Sequence, residues 1–188
     1  MGQREILLTI AKSLNKHRVP YLLTGSFAVS YYGVPRATHD IDFVIEVEKI
    51  SAVKIIQVIE NLGDDYIYDK EQIKHNITQP SEFNLAHKNT SIRIDFWVVI
   101  QKEFENKYHR QKVMMIDGTS ISLISPEDLL LTKLFWCKQV FSERHFTDCE
   151  NIWKLQKENF DMEYIKSEVQ KMKITALFKE VLTNSSRI

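Results

Sequence analysis

The chain has 188 residues, of which 44% are hydrophobic and 27% charged, a balance that is typical of a folded globular protein and excludes an intrinsically disordered one. The 25 basic and 25 acidic residues cancel, so the formal net charge is zero. No overall attraction to nucleic acid or to a membrane surface is therefore expected, and any site for a polyanion must be a local patch.

The location of the protein follows from its apolar segments and cysteines. No segment has the length and apolarity of a membrane span, and Arg4, Glu5 and Lys12 interrupt the apolar run at the N-terminus, which argues against a signal peptide. Cys137 and Cys149 lack metal-ligand spacing and are expected to be buried free thiols. Together these features predict a cytoplasmic protein with no membrane partner.

The first part of the chain alternates predicted helices and strands. Apolar residues at helical spacing predict amphipathic helices over residues 3–17 and 49–62. Between them, "VPYLLTG" predicts a short buried strand and "DIDFVIE" a longer one. The segment "SFAVSYYG" predicts a short helix that Ser26 caps and Gly33 ends.

The middle of the chain predicts four further strands. "FNLAHKN" and "SIRIDFWVVI" are expected to pair across a turn at residues 88–90. "KVMMIDG" and "TSISLI" are expected to form a hairpin about Asp117 and Gly118, since an Asp-Gly pair between apolar runs favours a tight turn.

From Ser125 the pattern changes to helix. Ser125 is expected to cap a helix that has Pro126 in its first turn, and two or three more helices follow. The order predicts an α/β (α+β) fold with two parts: a mixed-sheet domain over residues 1–124 and a C-terminal helical domain over residues 125–188.

Two carboxylates occupy one face of the strand "DIDFVIE". Asp40 and Asp42 are two residues apart, so both project from the same side of the strand. Adjacent carboxylates repel, and a hard divalent cation such as Mg²⁺ or Mn²⁺ relieves the repulsion with the oxygen ligands it prefers. Asp95 is another acid inside an apolar strand, where a charge is normally costly. We therefore expect the two strands to lie side by side and to share a metal.

Each acid also has a purely structural interpretation. Asp95 could form a salt bridge to Arg93 or lie at a strand end, and the pair Asp40 and Asp42 could lie at a solvated edge or in a turn. The combination favours the metal site, because the Gly-Ser turn, the basic "PRAT" loop, the paired acids and the later strand acid occur together and in order.

The sequence resembles a known superfamily over these segments. Gly25-Ser26, thirteen residues and then Asp40-Ile41-Asp42 are similar to the signature of DNA polymerase β-type nucleotidyltransferases. Within that superfamily, "GSFAVSYYGVPRATHDIDFVIE" and "SPEDLLLTKLFWCKQVFSERHFTDCENIWKL" resemble small bacterial and archaeal nucleotidyltransferase-like proteins. Some of those are toxins of toxin–antitoxin or abortive-infection systems, and others modify aminoglycosides or lincosamides.

The resemblance implies a role for each matching residue. Asp40 and Asp42 would bind two Mg²⁺ ions, with Mn²⁺ as a possible substitute, and Asp95 would be the third ligand and the base or orienter for the acceptor hydroxyl. The other implied residues bind the nucleotide: Gly25 and Ser26 at its phosphates, Arg36 and Thr38 beside the triphosphate, and Lys133 (also catalytic) and Asp148 from the helical half that closes the cleft.

The implied function is Mg²⁺-dependent transfer of a nucleotidyl group from an NTP, with ATP as one candidate, to an acceptor hydroxyl. The acceptor stays open between a tRNA end, a protein side chain and a small molecule, and a cognate antitoxin or other partner protein is a further expectation. A catalytically silent nucleotidyltransferase-like protein acting in a two-protein system is the alternative. A metal-dependent glycosyltransferase with paired aspartates is disfavoured, since it would need a larger domain before Asp40.

Overall fold

The computed structural model describes residues 1–46 and 52–185, so the predicted helix start at residues 49–51 lies outside the described residues. The chain folds into two compact units. Unit 1 consists of Met1–Phe27 and Ala37–Ile124, and unit 2 of Ala28–Arg36 and Ser125–Ile188.

The described residues contain seven strands and nine α-helices. The strands are β1 (Tyr21–Leu23), β2 (Asp40–Glu46), β3 (Tyr66–Ile67), β4 (Glu82–His87), β5 (Arg93–Val99), β6 (Lys112–Ile116) and β7 (Thr119–Leu123). The helices are α1 (Gln3–Lys16), α2 (Gly25–Tyr32), α3 (Ala52–Glu60), α4 (Lys70–Thr78), α5 (Gln101–Tyr108), α6 (Pro126–Gln139), α7 (Glu143–Gln156), α8 (Met162–Lys171) and α9 (Thr175–Ser185). No described helix is long and apolar enough to cross a membrane.

All seven described strands belong to one mixed sheet in unit 1, in the order β3-β4-β5-β2-β1-β7-β6. Strand β2 runs antiparallel to β1 and parallel to β5, and β1 runs parallel to β7. A mixed sheet followed by a run of helices is the predicted α/β (α+β) fold class, which is confirmed.

A row of aromatic rings fixes the register of the central strands. Phe43 of β2 stacks on Phe96 of β5 with ring centroids 5.4 Å apart, and Phe96 stacks on Phe83 of β4 at 5.0 Å. Tyr21 of β1 meets Phe43 edge to face at 5.4 Å. All four rings are buried. A slip of one residue would turn these rings to the other face, so their burial holds the intervening aspartates on the face opposite the rings.

Most of the predicted local structure is present. Strands β4 and β5 pair antiparallel, and β6 and β7 form the predicted hairpin, in which Asp117 and Gly118 both have positive φ, at 48° and 71°. One detail is wrong: Ser26 does not cap α2 but is its second residue, because the helix begins at Gly25. The sequence patterns did not predict β3, α4 or α5, all of which are short.

The regular secondary structure of unit 2 is entirely helical among the described residues. Ser125 caps α6 as predicted, its hydroxyl accepting a hydrogen bond of 3.1 Å from the backbone N–H of Asp128. Helices α6 and α7 pack against each other, and α9 packs against α7. Cys137 and Cys149 are buried free thiols, as expected.

Candidate active site

The two acidic strands of unit 1 are neighbours in register. Strand β2 pairs in parallel with β5 so that Asp42 lies opposite Asp95 and Asp40 lies opposite Arg93. These four side chains project from one face of the sheet, since Ile41, Phe43, Ile94 and Phe96, which alternate with them, are all buried. The prediction that the strand of Asp40 and Asp42 lies beside the strand of Asp95 is therefore confirmed.

Gly25 brings the backbone against Asp42. Its φ is +60°, in the left-handed region that favours glycine, and a Cβ built on it would overlap the Asp42 Oδ2 and Cγ atoms. Next to it, the Thr24 backbone N–H donates to the Asp42 carbonyl oxygen at 2.9 Å. A glycine is therefore required at position 25 both by backbone conformation and by the close approach of the carboxylate.

Arg93 is the cation of this acidic face. Its Nη2 lies 2.8 Å and its Nε 3.0 Å from Asp95 Oδ2, and the same Nε lies 3.6 Å from Asp40 Oδ1. The structural interpretation of Asp95 as a partner of Arg93 is thus also correct, and it coexists with the clustering of the acids. The arginine side chain is 51% exposed, whereas the carboxylate of Asp95 is 2% exposed.

The ionisation of Asp95 reflects its burial and its acidic neighbours. Burial raises the pKa of its carboxyl, the charge of Arg93 opposes that rise, and the charges of Asp42 and Glu82 add to it, with the result that the pKa is about 6. Its Oδ2 accepts from Arg93, whereas Oδ1 is buried and has no hydrogen-bond partner among the described residues. An unpartnered buried carboxylate oxygen is costly and is typical of a position that receives a ligand.

Glu82 is a further acid on this face, and the sequence patterns did not single it out. It begins β4 and lies opposite Trp97 of β5, two residues along the strand from Asp95. Burial raises the pKa of the Glu82 carboxyl, with Asp42 and Asp40 adding to the rise and Arg93 opposing it. The alternation of Glu82 and Asn84 with buried Phe83 and Leu85 was the available signal, because it predicts that Glu82 shares the face of Asp95.

The carboxylates of this face are the groups that could bind a divalent cation. Within residues 1–46 and 52–185, no group of three or more His, Cys, Asp or Glu side chains is arranged to hold a metal ion. The chemistry of the donor set nevertheless fits Mg²⁺ or Mn²⁺: three aspartates on adjacent strands supply oxygen donors, and Asp95 Oδ1 is buried without a partner. Asp40, Asp42 and Asp95 are therefore the residues that could hold such an ion.

The remaining predicted residues of unit 1 are placed as follows. Ser26, in the first turn of α2, is buried. The Thr38 hydroxyl accepts a hydrogen bond of 3.1 Å from the Asp40 backbone N–H, and the Thr38 carbonyl accepts one of 3.1 Å from Gln3 Nε2. Thr38 therefore holds the start of β2 in place, next to the first aspartate.

Unit 2 brings together the other three predicted residues. The Asp148 carboxylate accepts from Arg36 on both oxygens, at 3.0 Å from Nε to Oδ1 and 2.9 Å from Nη2 to Oδ2. Lys133 Nζ lies 2.9 Å from the same Oδ2. Burial opposes the ionisation of Asp148, but the hydrogen bonds and charges of Arg36 and Lys133 outweigh it and lower the pKa of the carboxyl.

This group, Arg36, Lys133 and Asp148, carries two positive charges and one negative charge. Lys133 is only 6% exposed, and Arg36 Nη1 is buried with no hydrogen-bond partner among the described residues. His145 lies in the same electrostatic environment; burial and the charge of Lys133 lower its pKa and keep the imidazole neutral near pH 7. The three side chains of this largely buried group therefore sum to one positive charge, and Arg36 Nη1 is a spare donor among the described residues, which suits an anion.

The sequence matches one family and no curated protein. Residues 6–150 match the aminoglycoside-2''-adenylyltransferase family. No curated protein matches the chain.

Three solved structures illustrate the similarity of the fold. An antigenic nucleotidyltransferase-like protein from Paracoccidioides brasiliensis is 17% identical with a TM-score of 0.58, over 95% of this chain and 91% of that chain. ANT(2'')-Ia in complex with adenylyl-2''-tobramycin is 13% identical with a TM-score of 0.60, over 91% and 97% of the two chains. The lincosamide antibiotic adenylyltransferase LnuA, with lincomycin bound, is 20% identical with a TM-score of 0.54, over 81% and 96%.

Proposed function

The chain belongs to the aminoglycoside-2''-adenylyltransferase family and is a nucleotidyltransferase, and from that premise we propose that it is Mg²⁺-dependent and transfers an adenylyl group from ATP to a hydroxyl of a small molecule. The observation that carries the proposal is the register of β2 and β5, which sets Asp42 opposite Asp95 with Asp40 on the same face. The three carboxylates expected from the resemblance are all present and adjacent.

The proposed reaction is an in-line displacement at the α-phosphorus. The acceptor hydroxyl oxygen forms a bond to that phosphorus, the bond from the phosphorus to the bridging oxygen of the β-phosphate breaks, and pyrophosphate leaves with the electron pair. The hydroxyl proton passes to a carboxylate, for which we propose Asp95, because burial and acidic neighbours make it more basic than an ordinary aspartate. Mg²⁺ bound by Asp40, Asp42 and Asp95 would neutralise charge on the entering and leaving oxygens.

The backbone at Gly25 and Ser26 is the proposed contact for the nucleotide phosphates. Helix α2 begins there, so N–H groups without intrahelical partners are available to phosphate oxygens. A glycine without Cβ also allows the close approach to Asp42 that the structure contains. Thr38 is proposed to act indirectly, by holding the backbone of Asp40.

The roles proposed for Lys133, Arg36 and Asp148 rest on the charge of their group. One net positive charge and a buried Arg36 N–H without a partner among the described residues support the binding of a phosphate oxygen. Because the carboxylate of Asp148 already accepts from both cations, we propose that it orients them.

The choice of a small acceptor draws on the family and on two solved structures. Those structures contain adenylyl-2''-tobramycin and lincomycin, which are small molecules. The sequence alone leaves the acceptor open between RNA, protein and a small molecule, and it leaves the nucleotide undetermined. A cognate antitoxin, the use of two ions and the cytoplasmic location stay predictions from the sequence.

The test is a transfer assay with α-³²P-labelled NTPs and Mg²⁺. Each nucleotide is offered with aminoglycosides, lincosamides, total RNA and cell protein in separate reactions. We expect label from ATP on a small molecule, absent in EDTA and absent with Asp42→Asn, which keeps the side-chain volume and removes the charge.

The control is Asp117→Asn, because Asp117 is an exposed acid of unit 1 that pairs with Arg4 outside the acidic face. It should transfer label at the wild-type rate. Label on RNA or protein would contradict the proposal of a small-molecule acceptor. Transfer in EDTA would contradict the proposed dependence on a metal ion. A folded protein that transfers nothing and also binds no nucleotide would overturn the proposed function.

A further inference from the structure

Arg93 occupies a position that a bound cation would be expected to take. The parallel register places it directly opposite Asp40, and its guanidinium turns along β5 to reach Asp95, so one cation contacts two of the three aspartates. Both of its close nitrogens converge on the single oxygen Asp95 Oδ2.

Acids outnumber basic residues on this face of the three adjacent strands. Asp40, Asp42, Glu46, Asp95 and Glu82 carry up to five negative charges, and Arg93 is the only basic residue of those strands that shares their face within the described ranges 1–46 and 52–185. Arginine stays protonated at any pH at which proteins fold. It therefore supplies a permanent positive charge at the place where the acids would otherwise repel each other.

We propose that Arg93 is a resident cation of the acidic face, which stabilises the metal-free protein and competes with the divalent ion for the charge of Asp40 and Asp95, thereby setting the affinity of the site for Mg²⁺ and Mn²⁺. This inference rests on the proposed function, since it takes Asp40, Asp42 and Asp95 as the metal ligands.

Two features distinguish this role from an ordinary surface ion pair. Asp95 is nearly inaccessible, so its partner is not easily replaced by water, whereas the Arg93 side chain is half exposed and has room to move away. The guanidinium contacts only Oδ2 of Asp95, and no other side chain or backbone group of the described residues bonds to Oδ1, so the carboxylate keeps one oxygen available for a cation.

The test measures metal affinity directly, without the reaction. Free Mn²⁺ is followed by its electron paramagnetic resonance signal during titration of the full chain, with and without the non-cleavable nucleotide α,β-methylene-ATP, and Mg²⁺ is added as a competitor. Arg93→Gln removes a positive charge within a few ångströms of the ligands, so we expect Mn²⁺ to bind at least about tenfold tighter than to the wild type.

Thermal unfolding supplies the second readout. In EDTA, Arg93→Gln should melt at least about 4 °C below the wild type, because Asp40 and Asp95 lose their partner. Saturating Mg²⁺ should close most of this gap, since the ion replaces the lost charge. A purely structural role for Arg93 would lower the melting temperature equally with and without the ion.

Two further variants isolate the charge. Arg93→Lys keeps the charge and should bind Mn²⁺ within about threefold of the wild type. Arg4→Gln removes an arginine from the exposed Arg4–Asp117 pair and should change neither readout. Arg93→Gln binding Mn²⁺ no more tightly than the wild type would overturn the proposal, as would Arg93→Lys binding as tightly as Arg93→Gln.

The failure of the metal site itself gives a different result. If neither the wild type nor Arg93→Gln binds Mn²⁺ with or without the nucleotide, the metal dependence in the proposed function is wrong, and the role of Arg93 falls with it. If Mn²⁺ binds but Asp42→Asn leaves that binding unchanged, the ion lies elsewhere and both proposals are overturned. If the wild type binds Mn²⁺ and Asp42→Asn does not, the proposed metal site stands. The Mn²⁺ affinity of Arg93→Gln then decides the role of Arg93.

Discussion

A buried aspartate of unit 1, Asp95, and one of unit 2, Asp148, have carboxylates that are held in opposite ways. Asp95 in unit 1 and Asp148 in unit 2 are each 2% exposed. Burial raises the pKa of Asp95 to about 6, with acidic neighbours adding to the rise and Arg93 opposing it. Burial acts on Asp148 in the same direction, but two cations on its oxygens reverse the result and lower its pKa. Equally exposed aspartates therefore have pKa values shifted in opposite directions, and the difference comes from the partners.

The comparison separates a carboxylate that is internally satisfied from one that is not. Both oxygens of Asp148 have hydrogen-bond partners, so the charge contributes to the stability of unit 2. Within residues 1–46 and 52–185, only one oxygen of Asp95 has a hydrogen-bond partner, and its neighbours Asp42 and Glu82 repel its charge. An ionised Asp95 is therefore expected to cost unit 1 stability, which agrees with the chemical role proposed for it.

The largest expected effect is that of Asp95→Asn on activity. We expect transfer to fall at least about 10³-fold, equivalent to about 4 kcal/mol of transition-state stabilisation, because the neutral amide cannot accept the hydroxyl proton or neutralise a cation. The free energy of unfolding should change by less than about 1 kcal/mol or rise, since a buried charge is removed while an oxygen remains to accept from Arg93. Transfer rates and urea unfolding measure the two effects, and a large loss of stability would contradict the comparison.

The next largest effect is that of Asp148→Asn on stability. Lys133 and Arg36 would be left in a buried site without a counter-charge, so the free energy of unfolding should fall by about 3 kcal/mol. Urea unfolding of the purified chain measures it. Adding Lys133→Met to Asp148→Asn should recover part of the loss, because it removes a buried charge that has lost its partner. If Asp148→Asn and Asp95→Asn had the same effect on stability, the distinction between the two aspartates would be wrong.

The sequence predicts the two aspartate sites to different extents for a physical reason. Asp40, Asp42 and Asp95 are acids in apolar strands, and a strand pattern fixes which side chains share a face, so their clustering could be predicted. The contact of Arg36 with Asp148 spans 112 positions in the chain and follows no local periodicity. The resemblance to a family singled out both residues, but it did not predict that they form an ion pair.

The missed elements have weak local signals. Helix α5 buries Phe104 alone, and α4 buries two isoleucines and an asparagine, so neither shows a long apolar stripe. Glu82 was overlooked because a lone glutamate at the start of a strand is ordinary; its importance appears only once β4 is placed beside β5. The tertiary pairing of strands, rather than any propensity, decides which polar residues meet.

Gly25→Ala should produce a smaller effect that is divided between activity and stability. The new Cβ would overlap the Asp42 carboxylate, and φ at this position is +60°, so we expect about 2 kcal/mol of destabilisation and roughly 100-fold slower transfer. Gly118→Ala is the matched control, because its φ is also positive, at 71°, but nothing lies within 4 Å of its added Cβ. It should cost about 1 kcal/mol and leave transfer unchanged.

Similar losses of activity in Gly25→Ala and Gly118→Ala would show that backbone strain, not contact with Asp42, matters at position 25. A large difference between them would confirm that the acidic face tolerates no displacement of Asp42. Urea unfolding and transfer rates of both variants, measured side by side, decide between these results.

The smallest expected effect is a loss of stability on acidification that arises in unit 2. Burial and the charges of Lys133, Arg36 and Arg144 lower the pKa of His145. The negative charge of Asp148 acts in the opposite direction but does not reverse the shift. A histidine with a lowered folded-state pKa binds fewer protons than in the unfolded chain, so its contribution is present above its unfolded pKa, roughly 6.5, and is lost as the pH falls below it. The pKa of Asp148 is also lowered, so its contribution disappears below about pH 4.

Urea unfolding of the wild type and of His145→Gln at pH 7.5 and 5.5 isolates the histidine. Asp148 stays ionised at both values, and Asp95, whose pKa of about 6 lies between them, contributes equally to both proteins. His145→Gln should reduce the difference in unfolding free energy between the two pH values, while His109→Gln, at a position in the turn after α5 of unit 1, should leave it unchanged. If His145→Gln leaves the difference as large as in the wild type, the imidazole is not held neutral by its cationic surroundings. The excess positive charge of the group of Arg36, Lys133 and Asp148 would then be smaller than the contacts indicate.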